Sequence, residues 1–147
     1  MKFSKEAQLG KKKKKGINLF KKKTRSQMIK ELDRIISNRV RENADWTCER
    51  CKTPYKPPTR GLQCSHYFSR RYIGTRFNLD NLMALCYYCH QLYETDKQGE
   101  YTQKMKDRIG EKALEKLRID AYSTESKLRT TDLEAMLLVE ELKGNHE

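Results

Sequence analysis

The sequence is poor in apolar residues. Hydrophobic residues make up 36% of the 147-residue chain and charged residues 35%, with a mean hydropathy of −0.98. No apolar run approaches the roughly 18 residues that a membrane span needs, and the lysine-rich start lacks the apolar core of a signal peptide. We therefore expect no membrane association, a cytoplasmic location and a small hydrophobic core, which a bound metal ion would usefully supplement.

Acidic residues are nearly absent from the first 25 positions. Residues 1–25 carry 11 basic residues and one acidic residue, so they hold +10 of the chain's net charge of +12. Like charges repel and there is little apolar surface to bury, so residues 1–23 are predicted to form a disordered basic tail. Such a tail attracts nucleic acid through counterion release without reading sequence. A solvated tail without a partner is the alternative.

Proline is also scarce, and its three copies all lie in KTPYKPPTRG, residues 52–61, which predicts a turn-rich connection. On either side of the central segment the apolar residues have helical spacing. Residues 24–43 begin with the spacing of a capping box and carry an apolar stripe, which predicts a helix that covers the domain.

After Cys89 the helical period returns. It predicts one helix ending at Gly110, another around residues 113–121, and a last helix that starts with a Thr131–Glu134 capping box and ends at Gly144. Two short runs, 62–68 and 81–85, have the length and composition of strands. The sequence therefore predicts an α+β protein.

Cysteine is the exception to these scarcities. Cys48 and Cys51 form one C-x-x-C pair and Cys86 and Cys89 form a second. Thiols stay reduced in the cytoplasm, and two such pairs supply the four thiolates of a tetrahedral Zn2+ site. Free buried thiols and a redox C-x-x-C are the alternatives. The fifth cysteine, Cys64, is interpreted as a small buried side chain.

Three polar residues lie at or next to the segment between the cysteine pairs. His66 falls in the first candidate strand, Asn81 fifteen residues later, and His90 directly after the second pair. The pattern Asn-x4-Cys-x2-Cys-His resembles the HNH nuclease motif of the ββα-metal fold. The resemblance implies that His66 is the general base, that Asn81 holds its loop or orients the imidazole, and that His90 binds a catalytic Mg2+ or Mn2+. The alternative is that the histidines are ordinary polar residues beside a structural zinc, or that one of them is a zinc ligand.

One position departs from the common HNH pattern. The residue before the base is usually an Asp or His that binds the ion, but here it is Ser65, a poor ligand. Glu94 follows His90 by four residues, so on a helix the two side chains share a face. We therefore expect Glu94 to replace the missing ligand.

A longer resemblance extends past the motif. The segments TRSQMIKELDRIISNRVRENADWTCERC, SHY, RFNLDNL, CYYCHQ and RIGEKALEKL follow the order and spacing of the phage recombination endonucleases called NinG or Rap, over about residues 24–120. The resemblance implies a metal-dependent DNA endonuclease that cuts branched recombination intermediates, Holliday junctions and D-loops, in the cytoplasm of a bacterial host. His90 departs from this family, in which an asparagine is expected. The implied organisation is a tail (1–23), a nuclease domain with flanking helices (24–124) and a C-terminal helix (125–147).

The segment between the halves of this motif is basic. Arg70, Arg71 and Arg76 are candidates to bind the DNA backbone, with solvated loop arginines as the alternative. Nearby aromatic residues could stack on unpaired bases, although core packing is the competing role: Tyr67, Phe68 and Tyr72. Two cuts at a junction need two active sites, so a homodimer is expected, with helices 24–43 and 131–143 as candidate interfaces. The rival functions are a non-catalytic zinc-ribbon DNA-binding protein and an HNH nuclease that assists phage DNA packaging.

Overall fold

The structure is a computed structural model that describes residues 22–123 and 128–144. Nearly all of the predicted basic tail, residues 1–23, lies outside this range, so the structure does not test it. The described residues form five α-helices and one two-stranded antiparallel hairpin. The α+β fold class predicted from the sequence is therefore confirmed.

Helix α1 (Arg25–Asn43) begins as its sequence predicts. The Thr24 N–H donates to Gln27 Oε1 at 2.8 Å, and the Gln27 N–H donates to Thr24 Oγ1 at 3.3 Å, which completes a capping box. The apolar residues at four-residue spacing are all buried: Met28, Leu32, Ile36 and Val40. This stripe packs against the hairpin and the last helix.

The hairpin consists of β1 (Leu62–His66) and β2 (Leu82–Cys86), joined by a long loop that ends in a single 3₁₀ turn, Leu79–Asn81. The register pairs Leu62 with Cys86 and His66 with Leu82. All five residues of β2 are buried, because α1 and the following helix cover the hairpin. Both strands fall where the sequence predicted them, although β1 ends two residues early and β2 starts one residue late.

Three helices follow β2 without an intervening strand: α2 (Tyr87–Glu94), α3 (Gln98–Ile109) and α4 (Glu111–Tyr122). The prediction of one continuous helix up to Gly110 is wrong, because the helix is interrupted between Glu94 and Gln98. Gly110 does end α3, with a φ of 82°.

The last helix, α5 (Thr130–Gly144), buries Leu133 and Leu137 and packs against α1. The expected Thr131–Glu134 capping box is wrong. The carboxylate of Asp132 instead accepts the Arg129 N–H, so the helix starts one residue earlier. Within the described ranges, no helix is long and apolar enough to cross a membrane.

Candidate metal centre and active site

The four cysteines of the two C-x-x-C pairs lie at two tight corners of the chain. The first corner follows α1, where Lys52 takes a φ of 62° and the Cys48 N–H donates to the Thr53 carbonyl at 2.9 Å. The second corner is the joint between β2 and α2, where Cys86 is the N-cap of the helix and Cys89 lies in its first turn. The four sulfur atoms all lie within 4.8 Å of one another.

These distances fit a tetrahedral ion. Zn–S bonds of about 2.3 Å place neighbouring sulfur atoms about 3.8 Å apart in a tetrahedron, and Cys51 Sγ lies 3.8 Å from Cys86 Sγ. Backbone N–H groups also point at the sulfur atoms, with Cys86 N 3.3 Å from Cys48 Sγ and Cys89 N 3.5 Å from Cys86 Sγ. Such contacts stabilise thiolates. The cluster is therefore consistent with the predicted zinc site.

The electrostatics of the cluster also favour a cation. Burial raises the pKa of the Cys48 thiol and raises that of Cys89 to about 12, whereas hydrogen bonds from Thr53 lower the pKa of the more exposed Cys51 to about 6. Two buried thiolates are costly without a compensating positive charge. A divalent ion would supply it.

One arginine supports this cluster from outside. Arg50 Nη1 lies 3.7 Å from Cys89 Sγ, and its Nε and Nη2 atoms donate to the Glu100 carboxylate at 2.8 and 3.1 Å. The same guanidinium lies 5.4 Å from the centre of the Tyr93 ring. Arg50 thus connects the cysteine cluster to α3, a role that its position inside a C-x-x-C pair did not reveal.

Cys64 lies apart from the four clustered cysteines. It is buried on β1, and burial raises the pKa of its thiol. Its interpretation as a small buried side chain is confirmed.

Beside the cluster is a cleft of about 990 Å³, lined by residues of all the elements except β2 and α5. Its lining includes His66 at the end of β1 and both His90 and Glu94 on α2. The fold therefore brings together, in one cleft, residues that lie 24 and 28 positions apart in sequence.

The His66 imidazole is held by two neighbours. Its Nε2 lies 3.1 Å from the Arg76 carbonyl oxygen, and Arg70 Nε lies 3.5 Å from its Nδ1. A carbonyl only accepts, so the proton is on Nε2 and the lone pair is on Nδ1. Burial, reinforced by the Arg70 charge, lowers the pKa of His66 to about 4. The imidazole is therefore neutral at pH 7, and the lone pair of its Nδ1 faces Arg70 Nε.

Asn81 is fully buried, and its contacts are those of a residue that holds a loop. Its Oδ1 accepts the Phe68 N–H at 2.7 Å, and its Nδ2 donates to the Phe68 and Thr75 carbonyls, both at 3.0 Å. These bonds close the loop between the two strands on itself. No hydrogen bond joins Asn81 to the imidazole of His66 within the part of the chain that the structure describes.

His90 is oriented from both sides. Its Nδ1 lies 2.7 Å from Gln63 Oε1, and its Nε2 lies 3.0 Å from Glu94 Oε1. The imidazole of His90 therefore contacts an amide oxygen on one side and a carboxylate oxygen on the other. Sequence reasoning missed Gln63. The available signal was a polar residue between the two apolar residues Leu62 and Cys64 of the predicted strand.

Ser65 points away from this chemistry. It is buried, its Oγ lies 3.1 Å from the hydroxyl of Tyr101, and it is not among the residues that line the cleft. The position next to the candidate base therefore packs against α3.

The three candidate DNA-binding arginines have different surroundings. Arg70 lines the cleft, and Arg71 lies on the Tyr72 ring, 4.6 Å from its centre. The Arg76 guanidinium binds both carboxylate oxygens of Asp33, at 3.0 and 2.6 Å, and the Arg70 carbonyl at 3.1 Å. Since these bonds occupy its donors, Arg76 is better suited to fixing the loop on α1 than to binding DNA. Two arginines that the sequence did not indicate also line the cleft: Arg41 and Arg60.

These features define a small α+β protein with a four-cysteine cluster of zinc-binding geometry at the base of a hairpin–helix unit. The family model described as the bacteriophage lambda NinG protein matches residues 1–144. The chain therefore belongs to the NinG family. Neither a curated protein nor a solved structure matches it.

Proposed function

We propose that this protein is a metal-dependent DNA endonuclease in which a structural zinc, bound by the four cysteines, fixes a catalytic cleft. The observation that carries this proposal is that His66, neutral and half-buried, lines the same cleft as the His90–Glu94 pair, beside the cysteine cluster. A general base and a cation site are the two parts that phosphodiester hydrolysis needs.

The His90–Glu94 pair has the spacing of two adjacent metal ligands. In an octahedral shell with bonds of about 2.1 Å, neighbouring ligand atoms are about 3.0 Å apart. The distance between His90 Nε2 and Glu94 Oε1 is 3.0 Å. These two residues would hold the ion, while Gln63 fixes the ring of His90. A bound Mg2+ or Mn2+ would stabilise the negative charge that develops on the phosphate and the leaving oxygen.

The other steps belong to residues of the chain. Arg70 Nε, which faces His66 Nδ1 at 3.5 Å, would first turn to the scissile phosphate. The freed His66 Nδ1 then takes a proton from the attacking water as the water oxygen forms the new bond to phosphorus. The bond between phosphorus and the leaving sugar oxygen then breaks, and that oxygen takes a proton from solvent. Arg70, which lines the same cleft, would position the scissile phosphate.

The substrate we propose is a branched recombination intermediate, as the sequence resemblance implies, and the setting is the cytoplasm of a phage-infected bacterium, since the matching family is that of a bacteriophage protein. The predicted homodimer remains a proposal, and α1 and α5 already pack against each other within one chain.

The test is a cleavage assay with zinc-loaded protein on supercoiled plasmid, linear duplex and a four-way junction, with and without added Mn2+ or Mg2+. The metal-free arm should omit chelators, since these would also remove zinc. We expect metal-dependent cutting that favours the junction. His66→Ala should lower the cleavage rate by about 10²- to 10⁴-fold, retain junction binding, and regain part of the rate with added imidazole.

The control is the zinc content and cooperative unfolding of His66→Ala, which should match those of the wild type. Cleavage by His66→Ala at the wild-type rate would refute the base assignment. A second candidate function, non-catalytic DNA binding, is favoured by the inward packing of Ser65. Absence of cleavage by the wild type with either metal would support it, and preference for linear duplex would instead favour a packaging nuclease.

A further inference from the structure

A row of aromatic rings runs from the core to the rim of the cleft. Tyr93 and Tyr101 stack with their centres 4.4 Å apart. Four edge-to-face contacts continue the row with centre distances of 5.1, 4.9, 5.9 and 5.0 Å. In order, these contacts join Tyr101, Tyr67, Phe68, Tyr122 and Tyr72.

The inner end of the row is fixed. Tyr101 is only 5% exposed and its hydroxyl lies 3.1 Å from Ser65 Oγ, while the Tyr67 hydroxyl lies 2.9 Å from Thr102 Oγ1. Because these rings are packed and hydrogen-bonded, their positions are fixed even where they line the cleft. They form a rigid base for the outer rings.

The outer end is open. Tyr122, the last residue of α4, is 59% exposed and lines the same cleft as His66. Its contacts with Phe68 and Tyr72 are edge-to-face, at interplanar angles of 84° and 69°, so they brace the ring while leaving most of its surface in water. Next to it, the Arg71 guanidinium covers the Tyr72 ring.

We infer that Tyr122 is a stacking platform for an unpaired base at the edge of the cleft. Because the Tyr122 ring is already held in place, it loses little conformational entropy when a base binds. Every base has a π-face, so stacking does not depend on the identity of the base. In an intact duplex the base faces are already stacked, so only single-stranded or branched DNA offers a partner. Arg71 would contact the neighbouring phosphate. This inference builds on the proposed function, since it names the feature of the substrate that the same cleft selects.

The test measures binding without Mg2+ or Mn2+, so that it does not depend on cleavage. A forked DNA with one unpaired base at the branch is compared with a fully paired duplex of the same sequence. Tyr122→Ala should weaken fork binding by about 5- to 150-fold, the range for loss of one stacked base, and should change duplex binding less than about twofold. Tyr122→Phe should bind the fork like the wild type, whereas Tyr122→Leu, apolar but not planar, should behave like Tyr122→Ala.

A matched control is available on α2. Tyr88 is 68% exposed but does not line the cleft, so Tyr88→Ala should leave fork binding unchanged. With 2-aminopurine as the unpaired base, the wild type should quench its fluorescence and Tyr122→Ala should not. Equal losses on fork and duplex, or a Tyr122→Leu variant as good as Tyr122→Phe, would overturn the inference. A wild type that binds the fork through Tyr122 but never cleaves would refute the nuclease proposal alone.

Discussion

The buried amide of Asn81 allows a sharp test of the fold around the site. Replacing it by Asp keeps the shape of the side chain but exchanges the NH2 group for a second oxygen. That oxygen would face the Phe68 and Thr75 carbonyls, to which Nδ2 now donates at 3.0 Å. The carboxyl must then either remain ionised against two acceptors or take up a proton.

The cost of protonating the new carboxyl sets the size of the expected loss of stability. An Asp with an ordinary pKa of about 3.9 costs about 4 kcal/mol to protonate at pH 7. Its single O–H satisfies one carbonyl, and the other loses the bond from this side chain at a cost of about 1–3 kcal/mol, although the Thr75 carbonyl still accepts the Asn78 N–H at 3.2 Å. The ionised route costs several kcal/mol as well, because the residue is fully buried. We therefore expect Asn81→Asp to lower the free energy of unfolding by about 5–7 kcal/mol at pH 7.

The loss should depend on pH in a definite direction. The pKa of the new carboxyl is raised in the folded state, so folding takes up a proton and the variant gains stability as pH falls. Relative to wild type, it should recover about 1.4 kcal/mol for each pH unit between about pH 7.5 and about pH 5.5. Taking the difference cancels the opposite dependence from His66, whose pKa is lowered in both proteins.

Urea unfolding of zinc-saturated protein at several pH values measures this difference. Asn81→Ala, which also removes the three hydrogen bonds, should lose about 3–5 kcal/mol without the pH dependence. Asn78→Asp is the matched control, since Asn78 is exposed and only accepts the Asp80 N–H, so it should change stability by less than about 0.5 kcal/mol. An Asn81→Asp variant of wild-type stability that lacked activity would refute the structural role and assign Asn81 to the chemistry.

Two further predictions concern the metal ions. Cys51→Ser should lower the zinc content well below one ion per chain and destabilise the fold, because structural zinc sites contribute folding free energy. Cys64→Ser, outside the cluster, should retain a full zinc ion in the same metal analysis, and equal zinc loss in both variants would contradict the assignment. Glu94→Gln should raise the Mn2+ concentration for half-maximal cleavage by at least about tenfold, since the amide keeps the size of the carboxylate but not its charge. Asp96→Asn, a change of the same kind two residues further along, should leave the titration unchanged, and an unchanged titration for Glu94→Gln or Glu94→Ala would remove Glu94 from the ion site.

Local patterns in the sequence were enough to predict most of the secondary structure. The capping box of α1 and its four-residue apolar spacing involve near neighbours only, as does the choice of Gly110 as a helix end. The break between α2 and α3 was missed because no glycine or proline marks it. At this break, Thr95 Oγ1 donates to the Gln91 carbonyl, a contact that a helix interior also allows.

The site could be predicted from the sequence only where its residues form a recognisable motif of fixed spacing along the chain. Two C-x-x-C pairs specify a four-sulfur cluster before any fold is known. The pairing of Gln63 with His90 instead depends on how α2 lies on the hairpin, which is a tertiary contact. The contact of Arg76 with Asp33 could not be foreseen for the same reason, since Asp33 lies 43 residues earlier on α1, and binding of DNA by Arg76 stays a prediction.

The hairpin is short, and contacts outside the β-ladder hold β2 at both of its ends. Two strands of five residues are marginal by themselves in water, and the low apolar content limits what packing adds. At one end, directly before Leu82, the side chain of Asn81 holds the loop closed through its hydrogen bonds to Phe68 and Thr75. At the other end, Cys86 is part of the cysteine cluster. The Glu49 N–H donates to the Ala84 carbonyl at 2.8 Å, and the Ala84 N–H donates to the Glu49 carboxylate at 2.6 Å. Because His66 pairs with Leu82 and α2 begins directly after Cys86, these two sets of contacts fix the separation of His66, the proposed base, from the His90–Glu94 pair. In the proposed nuclease, the buried amide of Asn81 and the four cysteines would thus set the geometry of the active site without touching the substrate.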